Sequence, residues 1–237
     1  MCRCSKWLKS LGMVLVCIFV AQGAFANASP FKLQPGDLLF QDLNCGTLCD
    51  GIGEVTHGIN NTYMSHVGIV ISVSHKHTMV IEALSKGVVT TPLQTFLARS
   101  LDAQHHPRVL VERLKPQYQY LIPQAIKYAK QQLGKPYNAT FVPNNEQSYY
   151  CSSLIYSAFL YANDNHNSIF HTHAMSFKDP HTQVTTHAWQ EYFRQLHATP
   201  SEGMIGSNPG MMSRESALTV VHVYGKLRVH PAVMHNI

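Results

Sequence analysis

Cys151 stands where an apolar repeat begins, in the stretch NNEQSYYCSSLIYSAF at residues 144–159. Apolar residues follow it at positions i+3, i+4, i+7 and i+8, the spacing of one helix face. Turn-forming residues upstream, from Pro143 to Asn145, predict that Cys151 lies in the first turn of this helix. Backbone N–H groups and the helix dipole favour a thiolate there, so Cys151 is a candidate nucleophile. The alternative is a small, buried apolar residue.

A cysteine nucleophile needs a base within reach and a third group that orients the base. The chain has 15 histidines, and His66 has the most suitable setting because it begins the strand-like segment HVGIV. Glu82 lies in the apolar stretch VIEAL, where a charged residue is costly to bury unless it is paired or functional. The alternatives are a polar residue at a strand end for His66 and an outward-facing strand residue for Glu82.

His66 and Glu82 belong to the two arms of a predicted hairpin, residues 65–73 and 77–84. A tight turn at residues 75–76 would pair His66 with Ser85 and leave Glu82 three positions away. A longer turn or a bulge must therefore correct the register if the two side chains are to meet.

Residues 1–28 have the layout of a cleaved secretory signal. Three basic residues precede an apolar run at residues 11–21, and small-x-small cleavage sites follow at residues 24–28. The apolar run is shorter than the ~20 residues of a membrane span. We expect residues 29–237 to form a single exported domain, periplasmic or secreted, without an integral membrane segment.

Removal of this segment changes the charge and the cysteine content. The formal net charge falls from +5 to +2, so the chain is not expected to bind nucleic acid. Three cysteines remain, and Cys45 and Cys49 in CGTLC could form a local disulfide in an oxidising compartment. A metal-binding pair is the alternative, although no second pair completes a zinc site. With those two paired, Cys151 is the odd thiol, which favours a catalytic role.

The order of the predicted elements indicates an α+β fold in a single domain. Strands are predicted at residues 36–41, 65–73, 77–84, 87–93, 108–114 and 217–227, the last one closing an edge of the sheet. Helices are predicted at residues 122–133, 151–159 and 188–196, with a long histidine-rich loop at 162–187. A further short helix is predicted with Thr91 as its N-cap and Pro92 at its first position.

Other chemistries have weaker support. The histidine stretches at residues 75–77, 105–106 and 171–173 lie in loops without the spacing of a metalloenzyme, so no metal or other cofactor is expected. The chain has no G-x-S-x-G motif, which disfavours a serine hydrolase. A binding module that keeps the fold without turnover is the non-enzymatic alternative.

Five motifs in order resemble the permuted NlpC-type papain-like cysteine hydrolases, in particular their YiiX/YebB-like group. They are GDLLF, SHVGIVI, IEAL, LGKPYN and YYCSSLIYSAF. The resemblance implies a circularly permuted papain-like fold, with an antiparallel sheet packed against helices. It also implies a nucleophile at Cys151, a base at His66 and an orienting carboxylate at Glu82. His66 precedes Cys151 here, whereas the cysteine comes first in ordinary papain-like enzymes.

The same resemblance makes Tyr137 and Tyr150 candidates for contact with the oxyanion or the substrate. Ser153 departs from the family pattern, because an acidic residue often stands two positions after the cysteine. The function implied is hydrolysis of an amide, such as a cell-wall peptide, through an acyl-enzyme. Related permuted enzymes act on lipid acyl groups, so an acyl hydrolase or acyltransferase with a lipid-like substrate is the alternative.

Overall fold

The structure, a computed structural model, describes residues 31–74, 77–143 and 145–231 of the chain. The predicted signal segment lies outside these residues, and the described residues belong to one compact unit. Its elements are β1 (Leu38–Gln41), α1 (Thr47–Val55), β2 (His66–Ser72), β3 (Met79–Leu84), β4 (Gly87–Pro92), α2 (Leu93–Leu97), β5 (Val109–Leu114), α3 (Ile122–Gln131), α4 (Cys151–Ala162), β6 (His173–Ala174), α5 (His187–Gln195), β7 (Ile205–Gly206), α6 (Pro209–Met212) and β8 (Leu218–Tyr224). Among the described residues no helix is long and apolar enough to cross a membrane.

Six strands form one antiparallel sheet in the order β4-β3-β2-β1-β5-β8, with β6 and β7 pairing separately. Alternate strand residues point to opposite faces, so the sheet divides two cores. The larger core packs against α3 and α4 and includes Phe40, Ile69, Ile81, Leu110, Leu154 and Phe159. The smaller core packs against α2 and includes Leu39, Val70, Val80, Phe96 and Val111. The predicted α+β architecture and the edge position of the last strand are confirmed.

The β2–β3 hairpin contains the register correction that the sequence required. Ile69 pairs with Ile81, Val70 pairs with Val80, and a bulge interrupts the ladder before Ser72 pairs with Met79. Extending the Ile69–Ile81 register back to His66 brings Leu84 opposite it, one residue away from the tight-turn pairing. Glu82 then lies two positions along and on the same face as His66.

The predicted start of the short helix is wrong. Thr91 and Pro92 still belong to β4, where they pair with Val80 and Met79, and α2 begins at Leu93. Because β4 is an edge strand, Pro92 can lack an N–H group without breaking a ladder on a second side. Strand pairing therefore overrides the capping pattern at this position.

Helix α1 is an element that the sequence did not indicate, since Gly51 and Gly53 lower its helix propensity. Gly51 allows α1 to approach α5 closely, because a Cβ atom there would lie 3.1 Å from the Trp189 ring. A disulfide between Cys45 and Cys49 closes the chain at the first turn of α1. These contacts hold α1 beside the site described below.

Candidate active site

Cys151 is the first residue of α4, as the apolar spacing predicted. Tyr150 precedes it in an extended conformation, and the Tyr150 N–H group donates to Ser153 Oγ at 3.0 Å. This bond defines the helix start, so the backbone N–H groups of the first turn have no partners inside the helix. Cys151 is buried and is not part of a disulfide.

His66 is the first residue of β2 and contacts both other members of the predicted set. Its Nε2 atom lies 2.6 Å from Glu82 Oε2, and the Cys151 side chain is close enough to the ring to raise the pKa of His66. Because Nε2 is engaged by Glu82, Nδ1 is the ring nitrogen left for Cys151. The structure thus brings Cys151, His66 and Glu82 together, although the histidine and the cysteine are 85 positions apart in the chain.

Glu82 is fully buried, so the alternative of an outward-facing strand residue is wrong. Besides His66 it binds Arg99, whose Nη2 atom donates to both carboxylate oxygens at 2.7 and 2.6 Å. The Arg99 guanidinium also lies over the Phe96 ring, 4.8 Å from its centroid. The sequence analysis missed Arg99. An arginine that follows a short helix carries no local pattern to indicate that it will contact a glutamate on another strand.

Charge in the site follows from these contacts. Burial lowers the pKa of His66, but hydrogen bonds and charge interactions with Cys151 and Glu82 outweigh it and raise this pKa to about 9. Burial raises the pKa of Glu82, but His66 and Arg99 outweigh it and lower this pKa to about 2. At neutral pH the site therefore holds an imidazolium next to a carboxylate.

The two tyrosine candidates have different surroundings. Tyr137 lines the same cavity as His66, and its side chain is close enough to Cys151 to interact with it electrostatically. Burial, and secondarily the charge on Cys151, raises the pKa of Tyr137, so its hydroxyl stays protonated and able to donate. The Tyr150 hydroxyl accepts a hydrogen bond from the Ser207 N–H group at 3.3 Å. This contact ties Tyr150 to the segment before α6.

Two cavities flank the contact between Cys151 and His66, and Ile52 of α1 borders both. The cavity on the His66 side measures about 530 Å³, and its lining mixes polar side chains, such as His66, Lys86 and Arg99, with apolar ones, such as Leu48 and Leu84. The cavity on the Cys151 side measures about 130 Å³ and is lined mainly by apolar side chains, including Phe141, Met175, Phe177, Trp189 and Met211. A substrate bound across Cys151 would meet a mixed lining with charged groups on one side and a mainly apolar lining on the other.

The remaining predicted positions lie near the site or away from it. The disulfide between Cys45 and Cys49 borders the cavity on the His66 side. His173 lines the cavity on the Cys151 side. In the described part of the chain, no three His, Cys, Asp or Glu side chains converge as a metal site would require.

The fold and this cluster define a papain-like cysteine hydrolase in which the histidine precedes the cysteine. A family described as permuted papain-like amidase enzymes, YaeF/YiiX, C92 family, matches residues 32–222, and the chain belongs to that family. It is therefore a cysteine peptidase or amidase-type hydrolase, and the predicted fold and family are confirmed.

Among solved structures, the crystal structure of the metalloprotein YiiX from Escherichia coli O157:H7 is similar to this chain. The TM-score is 0.61 and the identity is 21%, over 81% of this chain and 98% of the YiiX chain. At that identity the similarity shows the shared fold alone. No curated protein matches the chain.

Proposed function

We propose that this protein is an exported cysteine amidase that cleaves a cell-wall peptide or a related amide through an acyl-enzyme. The observation that carries the proposal is the simultaneous contact of His66 with Cys151 and with Glu82. This is the geometry of a nucleophile, a base and an orienting carboxylate. The family assignment supports amide hydrolysis in general.

In the proposed acylation step, the Cys151 proton resides on His66 and the thiolate attacks the amide carbonyl. The oxyanion that forms lies near the start of α4, where the Cys151 backbone N–H group can donate to it. Tyr137 is the better placed of the two tyrosines to donate as well, because the Tyr150 hydroxyl already donates to Met175 Sδ and accepts from the Ser207 N–H group. His66 then protonates the leaving amine as the C–N bond breaks.

In the proposed deacylation step, His66 is neutral and takes a proton from a water molecule that attacks the thioester. The thiolate leaves and recovers the starting state when His66 holds the proton. Glu82 keeps the imidazole oriented through Nε2 and stabilises its protonated form. Arg99 fixes Glu82 in turn by donating to both of its oxygens.

The size of the apolar cavity bears on the substrate. About 130 Å³ is well below the roughly 300–1,000 Å³ of sites that enclose whole small molecules. It can take one apolar side chain or a short acyl group next to the scissile carbonyl, whereas a long acyl chain would exceed it. This favours a peptide-like amide. The apolar lining keeps a lipid-like acyl substrate as the second candidate.

Export rests on the signal-like residues 1–28 and is supported by the disulfide between Cys45 and Cys49. Disulfides persist in oxidising compartments and are rare in the cytosol. In a bacterial periplasm, cell-wall peptides are the abundant amide substrate that such an enzyme would meet.

The test is hydrolysis of muropeptides and of a chain-length series of p-nitrophenyl acyl esters. We expect turnover of muropeptides, limited activity on the shortest esters, and a loss of roughly 10⁴-fold or more in Cys151→Ala and His66→Ala. His106→Ala is the matched control, because His106 is exposed and lines neither of the cavities at Cys151 and His66.

Activity that survives in Cys151→Ala would overturn the proposal. Activity that rises steadily with ester chain length, without muropeptide cleavage, would replace the amide substrate with a lipid-like one.

A further inference from the structure

A second polar pocket lies beside the helix that carries Cys151. It measures about 410 Å³ and lies between α3, α4 and the segments at residues 135–143 and 145–149. None of its described lining residues borders the two cavities at Cys151 and His66. Its volume lies within the roughly 300–1,000 Å³ typical of small-molecule sites. The pocket therefore has room for a ligand of its own.

The pocket originates in a second stripe of α4 that the catalytic site does not use. The apolar stripe that begins at Cys151 packs into the larger core. Next to it, Ser153, Tyr156, Ser157 and Leu160 are spaced i, i+3, i+4 and i+7, so they share a neighbouring face that lines the pocket. Helix α3 contributes Tyr128 from the opposite wall.

The lining is rich in groups that both donate and accept hydrogen bonds. It contains four tyrosines, three asparagines, one glutamine and three serines, against two aliphatic side chains, Val142 and Leu160. Hydroxyl and carboxamide groups match a ligand whose own hydroxyls donate and accept. Tyrosine rings add flat apolar faces, against which the C–H face of a pyranose ring can pack.

The charges of the lining balance. Lys135 and Glu146 contribute one charge of each sign, and Lys135 Nζ donates to the Glu146 carbonyl oxygen at 2.5 Å. An anionic ligand would thus find no excess of positive charge, and an apolar ligand would leave many polar groups without partners. The lining favours a neutral polyhydroxylated ligand.

The floor of the pocket is held in place by its own hydrogen bonds. Tyr128 Oη and Tyr149 Oη lie 2.8 Å apart, and Tyr149 Oη also donates to Gln132 Oε1 at 3.3 Å. Gln132 Nε2 in turn donates to the Tyr128 carbonyl oxygen at 3.0 Å. Above this floor, the Tyr161 ring lies 4.9 Å from the Tyr128 ring, centroid to centroid, and extends to the protein surface. A preorganised floor with an exposed aromatic rim lowers the entropic cost of binding.

We propose that this pocket binds a neutral saccharide, separately from the reaction at Cys151. The sugar hydroxyls would exchange hydrogen bonds with the serine and carboxamide side chains, and a ring face would pack on Tyr156 or Tyr161. The proposal does not depend on which amide the enzyme cleaves, because the pocket and the two catalytic cavities have separate linings.

The test measures binding to purified Cys151→Ala protein, in which no substrate is consumed. N-acetylchitotetraose, cellotetraose and maltotetraose serve as probes in calorimetry and saturation-transfer NMR, with tetra-alanine as the peptide arm. We expect at least one saccharide to bind with millimolar affinity or better. Tyr161→Ala should weaken it roughly tenfold, as the loss of a stacking contact does. Ser157→Leu, which places a larger side chain in the pocket, should abolish binding.

Two controls make the result specific to the pocket. Tyr120→Ala removes an exposed tyrosine that does not line it and should leave the affinity unchanged. Thermal unfolding of each variant shows whether the fold is intact, and Tyr161→Ala keeps a good helix former at a surface position. The proposal is overturned if no saccharide binds, if binding is unaffected by Ser157→Leu in folded protein, or if tetra-alanine alone occupies the pocket.

Discussion

Glu82 and Glu112 are two buried glutamates on strands of the same sheet, but at neutral pH one side chain is ionised and the other is mostly neutral. Glu82, on β3, contacts His66 and Arg99, and its pKa is lowered to about 2. Glu112, on β5, is also almost fully buried, but its Oε2 atom has no hydrogen-bond partner among the described residues. Burial alone raises the pKa of Glu112 to about 8. Burial thus favours the neutral carboxylic acid at both positions. Only at Glu82 do hydrogen-bonded, positively charged groups reverse this and favour the carboxylate.

The largest expected effect on activity comes from neutralising Glu82, the carboxylate that is paired with His66 and Arg99. Glu82→Gln keeps the shape but removes the charge, so the imidazolium of His66 loses its stabilising partner. We expect kcat/KM to fall by roughly 10²–10⁴-fold. The alkaline limb of the pH–rate profile, expected near pH 9 from the His66 pKa, should move to lower pH.

The same variant should lose about 3 kcal/mol of stability, because Arg99 is left beside an uncharged group. Urea unfolding measures this loss. Glu191→Gln, at a half-buried helix position where the carboxylate pairs with Arg194, is the matched control. An alkaline limb that stays in place in Glu82→Gln would show that Glu82 does not set the charge of His66.

A smaller effect on activity is expected when Arg99, which binds Glu82, is replaced. Arg99→Met leaves Glu82 with His66 alone, so the pKa of Glu82 should rise toward its ordinary value. We expect the acid limb of the pH–rate profile to move to higher pH, with a loss of roughly tenfold in kcat/KM and little change in KM.

Arg99→Lys should restore part of the activity, since it keeps the positive charge without the forked geometry. A merely structural role for Arg99 would lower stability in Arg99→Met without moving the acid limb.

The smallest effect on activity is expected from replacing Glu112, whose buried carboxyl group is unpaired among the described residues. Glu112 has a folded-state pKa above its unfolded value, so the unfolded chain loses its proton first as the pH rises. Relative to low pH, its contribution to stability therefore becomes increasingly unfavourable from about pH 4.5 to about pH 8 and is constant above that window. We expect Glu112→Gln to stabilise the fold by about 3 kcal/mol at pH 7, with little effect at pH 4.

Urea unfolding of both proteins at pH 4, 6 and 8 measures this difference, with muropeptide hydrolysis as the activity readout. Equal pH dependence in the two proteins would show that Glu112 is charged in the fold. That result would remove the contrast with Glu82.

Three residues of the candidate site, Cys151, His66 and Glu82, could be predicted from the sequence alone. The apolar spacing after Cys151 placed it correctly in a first helical turn, and the strand pattern placed His66 at a strand start. Both signals are local, because helical and strand periodicity depend on which residues face a core. Glu82 was found because a charge within an apolar strand is costly. The same reasoning applies to Glu112 in LVERL, and nothing local separates the two.

What the sequence by itself determined is therefore most of the elements, their order, the family and the candidate nucleophile. Only the tertiary structure decided the bulge that puts Glu82 on the face of His66 and the contact between Arg99 and Glu82. It likewise decided the position of α1 beside both catalytic cavities. The physical reason is that a charge state and a cavity depend on groups distant in the chain. Hydrophobic periodicity indicates only which face of a helix or strand is buried, and not which side chains from other elements pack against that face.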